Sequence, residues 1–173
     1  MIIPGFVMFS DDTELAEVRA IEEGFKKAYD EDAKGTAEAI SKLRDFTVQL
    51  IRLKSTAENE LDAKALIIAI GDIGKEACEK KMESACLASG SALEHIMTEA
   101  ALREREALSV KALSVLGSLA LDFAEKNMDN EAKAAAESLE NCGKFSLKRK
   151  METMVSLAKV YLMQLAMKAM EKN

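Results

Sequence analysis

Residues 70–96, IGDIGKEACEKKMESACLASGSALEHI, and residues 116–142, LGSLALDFAEKNMDNEAKAAAESLENC, repeat one pattern at an offset of 46. Gly71 aligns with Gly117, Glu79 with Glu125, Lys80 with Lys126, Met82 with Met128, Ala88 with Ala134 and Leu93 with Leu139. Ile70/Leu116, Ile73/Leu119 and Glu83/Asp129 are conservative pairs. A third partial copy lies upstream: EDAKGTAEAI (31–40) matches NEAKAAAESL (130–139) through Ala33/Ala132, Lys34/Lys133, Ala37/Ala136 and Glu38/Glu137. Repetition at such a period is the mark of a stack in which no unit can bury its apolar face alone, so that neighbouring copies complete one core.

The residue vocabulary sets the fold class. The 173 residues contain one proline and eight glycines, and Ala, Glu, Lys, Leu and Met dominate. These are strong helix formers, and the β-rich residues are few. An all-α domain spanning 1–173 is expected, with about seven helices in stacked antiparallel hairpins. The hairpins fall at about 13–54, 56–97 and 98–142, and a long terminal helix covers 146–171. Ser10, Asp11 or Asp12 can cap the first helix, over 13–30, and STAE at 55–58 reads as a capping box for the third. Gly143 is read as the stop of the sixth helix and Ser146 as the cap of the seventh. Ala63, Leu66, Ile67, Ile70, Gly74, Ala77 and Cys78 form one buried stripe of the third helix. Gly71, Gly74 and Gly117 sit within helices, where glycine costs about 1 kcal/mol against alanine. That cost is accepted where another helix comes close, and Ala85, Ser89 and Ala92 are the expected facing surface.

The pattern of Ile-Gly, a small residue three positions later and then spaced Ala, Ser and Ala resembles a tetratricopeptide-like helical hairpin. The period of 46 and the missing aromatic positions are closer to HEAT-type repeats. The resemblance covers 64–142 and, more loosely, 13–54. It implies a protein-binding scaffold and carries no catalytic residues.

Charge points the same way. Residues 1–140 hold 17 basic against 28 acidic side chains, whereas residues 141–173 hold 7 against 2, giving balances of −11 and +5. A mostly acidic surface repels phosphate backbones, so nucleic acid is not an expected partner. No stretch of eighteen residues is both apolar and free of charge, Lys111 interrupting the best one, so no membrane partner is expected either. The N-terminus, MIIPGFVMFSDD, has no basic leader region. Cys78, Cys86 and Cys142 form no CxxC pair and read as small buried hydrophobes, which suits a cytoplasmic location.

Chemistry-bearing motifs are sparse. Cys78, Cys86 and His95 have spacings that match no zinc arrangement, and His95, the single histidine, reads as a helix-end residue. Glu58 and Asp62 lie four apart as bridging carboxylates do, but no Glu-x-x-His accompanies them, so a solvated acidic first turn is the simpler reading. GDIG lacks the Gly-Lys-Ser/Thr ending of a phosphate loop. No catalytic residue, metal ligand or cofactor is therefore expected.

The terminal helix differs. Met151, Met154, Val155, Ala158, Leu162, Leu165 and Ala169 form one apolar stripe, and Val160, Met163, Met167 and Met170 form a second on nearly the opposite side. The last helix of a stack has one neighbour fewer. Its second stripe is therefore expected to bind a protein partner or another copy of the chain, as a dimer, unless Ile2–Phe9 folds over it. The function expected is a non-enzymatic protein–protein interaction scaffold. A small-molecule- or metal-binding bundle, or an enzyme with an unrecognised site, are the alternatives.

Overall fold

The computed structural model describes residues 33–171. Expectations that fall on 13–30 and on Ile2–Phe9 lie outside the described residues. Those described form six α-helices, the seventh expected one, over 13–30, falling outside them, and no strand: α1 (Ala33–Arg52), α2 (Ala57–Glu79), α3 (Glu83–Leu102), α4 (Glu106–Glu125), α5 (Asp129–Lys148) and α6 (Glu152–Glu171). Each helix packs on the next in sequence and on the next but one, and on none further away. The even-numbered helices therefore form one layer and the odd-numbered helices the other.

The spacing of the helices comes from a turn used four times. Lys81, Glu104, Asn127 and Lys150, each 23 residues after the last, have left-handed backbones with φ of 54°, 58°, 58° and 59°. In the first of these turns the Lys81 N–H donates to the Cys78 carbonyl (3.1 Å) and the Met82 N–H to that of Ala77 (2.8 Å), the double bond of a Schellman motif. Arg105 to Ala100 (2.9 Å), Met128 to Phe123 (2.9 Å) and Met151 to Ser146 (3.0 Å) repeat it. The residue that closes each turn also begins the next helix: the Met82 carbonyl accepts the Cys86 N–H at 3.0 Å. One three-residue connection thus satisfies the end of one helix and the start of another.

None of the four left-handed positions is glycine, although a side chain there costs about 1–2 kcal/mol. Glu104 is exposed. Glu104→Gly is expected to raise stability by about 0.5–1 kcal/mol, the relief being partly offset by glycine's freedom in the unfolded chain. A higher urea midpoint at unchanged slope is the check. An unchanged or lower midpoint would show that the turn is not strained.

Several expected boundaries move. The hairpins run 57–102 and 106–148, so α3 passes beyond residue 97 and α5 beyond 142. Gly143 lies inside α5, where an added Cβ would rest 3.4 Å from Ala158 Cβ, and it stops nothing. Ser146 is buried within α5 and its carbonyl serves the last turn, so it is no cap. The cap of α2 is Thr56, whose hydroxyl accepts the Asn59 N–H at 3.1 Å, while Ser55 donates to Glu60 instead.

The buried stripe of α2 contains every residue expected of it, together with Asp62, Gly71 and Ile73. The corresponding face of α4 buries Leu108, Ala112, Leu116, Leu119 and Phe123. By length and composition alone α4 could cross a membrane. Here α2, α3, α5 and α6 all pack on it.

The glycines sit where helices meet. A Cβ at Gly71 would strike Val115 Cγ1 of α4, and one at Gly117 would strike the Tyr161 ring of α6. Each is therefore met 44 residues onward, at equivalent contacts between even-numbered helices. Gly71 faces α4 and not, as expected, the paired α3. Gly74 does face α3: its Cβ would lie 2.9 Å from Ser89 and 2.9 Å from Leu119.

Polar contacts link helices two apart. Arg52 pairs with Glu99 at 3.1 Å, and Glu94 accepts from Ser138 (2.5 Å) and Asn141 (3.1 Å). Arg105 stands where the other three turns have methionine. Its guanidinium donates to the Leu53 carbonyl (2.6 Å) and meets Glu60 (3.4 Å), so it closes the end of α1 and the start of α2 together.

Candidate protein-interaction site

The face of each even-numbered helix that receives the next can be followed by register. The 46-residue offset carries Gly71 of α2 to Gly117 of α4 and then to Met163 of α6. Val115 covers the first position and Tyr161 the second. Met163 is 66% exposed.

Its neighbours share that exposure. Val160, Met167 and Met170 are 48%, 56% and 69% exposed, and all four side chains project from one side of α6 at positions i, i+3, i+7 and i+10. The opposite side is anchored by buried Met154, Ala158 and Leu165, with Met151, Val155 and Leu162 half-buried. Ala169, expected in that inner stripe, is exposed. Lys168 makes an ion pair with Glu125 of α4 and so leaves the open side, and its ammonium holds the Glu125 carboxyl below the usual range. What remains is an apolar strip flanked near its middle by Ala166 on one side and Gln164 on the other, with Lys159 and Glu171 at its two ends, all four exposed.

Tyr161, whose ring fills the notch at Gly117 and so fixes the rotation of α6, was not singled out in the sequence. The signal was available, because Val115 and Tyr161 stand 46 apart as their glycines do.

The other candidate residues do not converge. Cys78 and Cys86 are buried on either side of the 80–82 turn, whereas His95 is exposed within α3 and not at a helix end. Among the described residues no group of three His, Cys, Asp or Glu could hold a metal ion. Burial pushes the Cys86 thiol up to about 12 and raises those of Cys78 and Cys142, so all three remain protonated and weakly nucleophilic at neutral pH. Glu58 is exposed in the first turn of α2, but Asp62 lies beyond that turn and is buried, so the pair is not a solvated acidic first turn.

The shifted carboxylates stand apart from one another. Arg52 holds Glu99 low on α3, and burial, only partly offset by Lys75 at 3.9 Å, raises Asp122 on α4. A groove between α1 and α3 is lined by Lys34, Glu38, Lys42 and Asp45 among small residues, and another lies between α3 and α5 beside Glu94 and Ser138. Neither reaches His95. Among the described residues the α6 strip is the one run of four large exposed apolar side chains on a single helix face. Compared with known proteins, the chain matches no family model, no curated protein and no solved structure.

Proposed function

We propose that this chain is a non-enzymatic helical-repeat scaffold that binds protein through the free face of α6, with Val160, Met163, Met167 and Met170 as the contact residues. The observation that carries the reading is one of register: Met163 meets solvent at the position where Gly71 and Gly117 are covered by the next helix. None of the described helices covers this face, which offers the site that a further helix would occupy. An amphipathic helix in an apolar groove is the recognition mode that fits it, and flexible methionines suit such contacts. The 46-residue hairpin spacing lies in the range of HEAT-type repeats, which supports a likeness to those scaffolds.

Met163→Glu with Met167→Glu tests it. Both side chains are exposed, so the variant is expected to keep the helical signal and melting temperature of the unmodified chain. In parallel pull-downs from the native host it is expected to lose the proteins that the unmodified chain retains, copies of the chain included. Retention of the same proteins at the same level by both forms would end this reading.

A further inference from the structure

Resting on that reading, we infer that the occupant of the α6 face is a second copy of this chain, bound with its α6 antiparallel to the first. The two-fold axis lies level with residue 165, and the product is a homodimer.

The spacing of the strip carries the first part of the argument. Val160, Met163, Met167 and Met170 follow one another by 3, 4 and 3 residues, the a/d seam of two heptads. That order is unchanged when read backwards. Two copies running in opposite directions therefore set Val160 level with Met170 of the second copy, and Met163 level with its Met167. All four layers are filled, with no gap and no polar residue inside. A second copy carries the same spacing and meets it position for position in this orientation. A two-fold pairing requires that property.

Charge carries the second part. In an antiparallel pair each flank of the seam faces the same flank of the other helix, so the side chains nearest the axis meet their own copies. Here these are Gln164 on one flank and Ala166 on the other, both exposed and both uncharged. The nearest charges, Lys159 and Glu171, lie at the outer ends of the strip and on opposite flanks. The two copies of Lys159 would stand about 18 Å apart along the helices, from 1.5 Å of rise per residue. That exceeds the screening length at physiological salt, about 8 Å. Lys168, which would add a further positive charge, is held by Glu125 of the same chain. Among the described residues no other helix shows four large exposed apolar side chains at such spacing: Leu61 and Ile68 on α2, Leu87 and Leu102 on α3 and Leu147 on α5 are single residues or pairs.

The seam from Val160 to Met170 is about 15 Å long. An interface of that length falls at the small end of specific contacts, and the dimer is expected to be reversible with a Kd of roughly 1–100 µM.

Two measurements on the full chain test the proposal. Sedimentation up to about 200 µM is expected to show a monomer–dimer equilibrium that Met163→Glu with Met167→Glu abolishes. Orientation is read with two variants that each add one cysteine, Val160→Cys and Met170→Cys, oxidised with oxidised glutathione. Cys78, Cys86 and Cys142 are buried and give little background. A mixture of the two variants is expected to form a disulfide-linked dimer far faster than either alone. In the antiparallel pair like positions stand about 15 Å apart, beyond the roughly 7 Å limit between α-carbons for a disulfide. Rapid cross-linking of Val160→Cys with itself would overturn the antiparallel pairing. A chain that stays monomeric at every concentration would overturn the dimer, whether residues 1–32 or another protein covers the strip. If that monomer still loses its retained proteins on Met163→Glu with Met167→Glu, only the identity of the occupant is wrong. If it does not, the scaffold reading falls as well.

Discussion

Phe123→Ala is expected to lower the unfolding free energy by about 3–5 kcal/mol. Phe123 is 1% exposed and heads the fully buried side chains by volume. It lies in the last turn of α4, the helix on which α2, α3, α5 and α6 all pack, so the void would open where neighbours from both layers meet and none can close it alone. The residue has a second role. Its carbonyl accepts the Met128 N–H, which puts Phe123 and buried Met128 at the two positions of a Schellman turn whose side chains touch. Truncation therefore removes packing and loosens the turn that aims α5. Against a total of roughly 5–15 kcal/mol the loss is large, and urea unfolding at unchanged slope would read it directly. A cost below about 1 kcal/mol would mean that the site collapses freely, contrary to the burial seen.

Gly117→Leu is expected to cost about 1–3 kcal/mol even though leucine is the better helix former. The added Cβ has no room, because it falls on the ring of Tyr161, and the rest of the side chain would lever α6 away from α4. The smaller change, Gly117→Ala, sets two effects against each other. Alanine gains about 1 kcal/mol of helix propensity but meets the same ring. With Tyr161→Ala alongside, the clash is gone and only the gain remains, so Gly117→Ala is expected to stabilise that background. A double-mutant cycle measures the difference as a coupling of about 0.5–3 kcal/mol. Additive effects would show that the ring and the glycine do not touch.

What could be read in the sequence followed from side-chain periodicity. The α2 stripe from Ala63 to Cys78 and the close approaches at Gly71, Gly74 and Gly117 need only helical spacing and the cost of a mid-helix glycine. The exposed strip of α6 came from the same source, because a helix apolar on two sides declares a second neighbour, which none of the described helices supplies. The boundaries were hidden by turn chemistry. Left-handed positions usually announce themselves as glycine, but here they are Lys81, Glu104, Asn127 and Lys150. Gly143, the residue that looked like a stop, lies inside α5 against Ala158. A sharper signal was present: Met82–Glu83, Met128–Asp129 and Met151–Glu152 each pair the turn-closing methionine with an acid at the first helical position. It is broken at Arg105, whose side chain is committed to Leu53 and Glu60, a tertiary contact that no local pattern reveals. The burial of Asp62 was hidden in the same way.

Because each described helix packs, among the described helices, only on those one or two places away, the stack has a direction in time as well as in space. As the chain leaves the ribosome, α3 finds α1 and α2 already made, α4 finds α2 and α3, and so on to the end. Each helix from α3 onward meets two partners that are already made, and for α3 to α5 later helices add to them. Contacts this close in sequence also keep the loop-closure cost small, which favours fast folding. Among the described helices α6 follows all the others, so the methionine strip emerges when α4 and α5 already stand behind it to hold it in place.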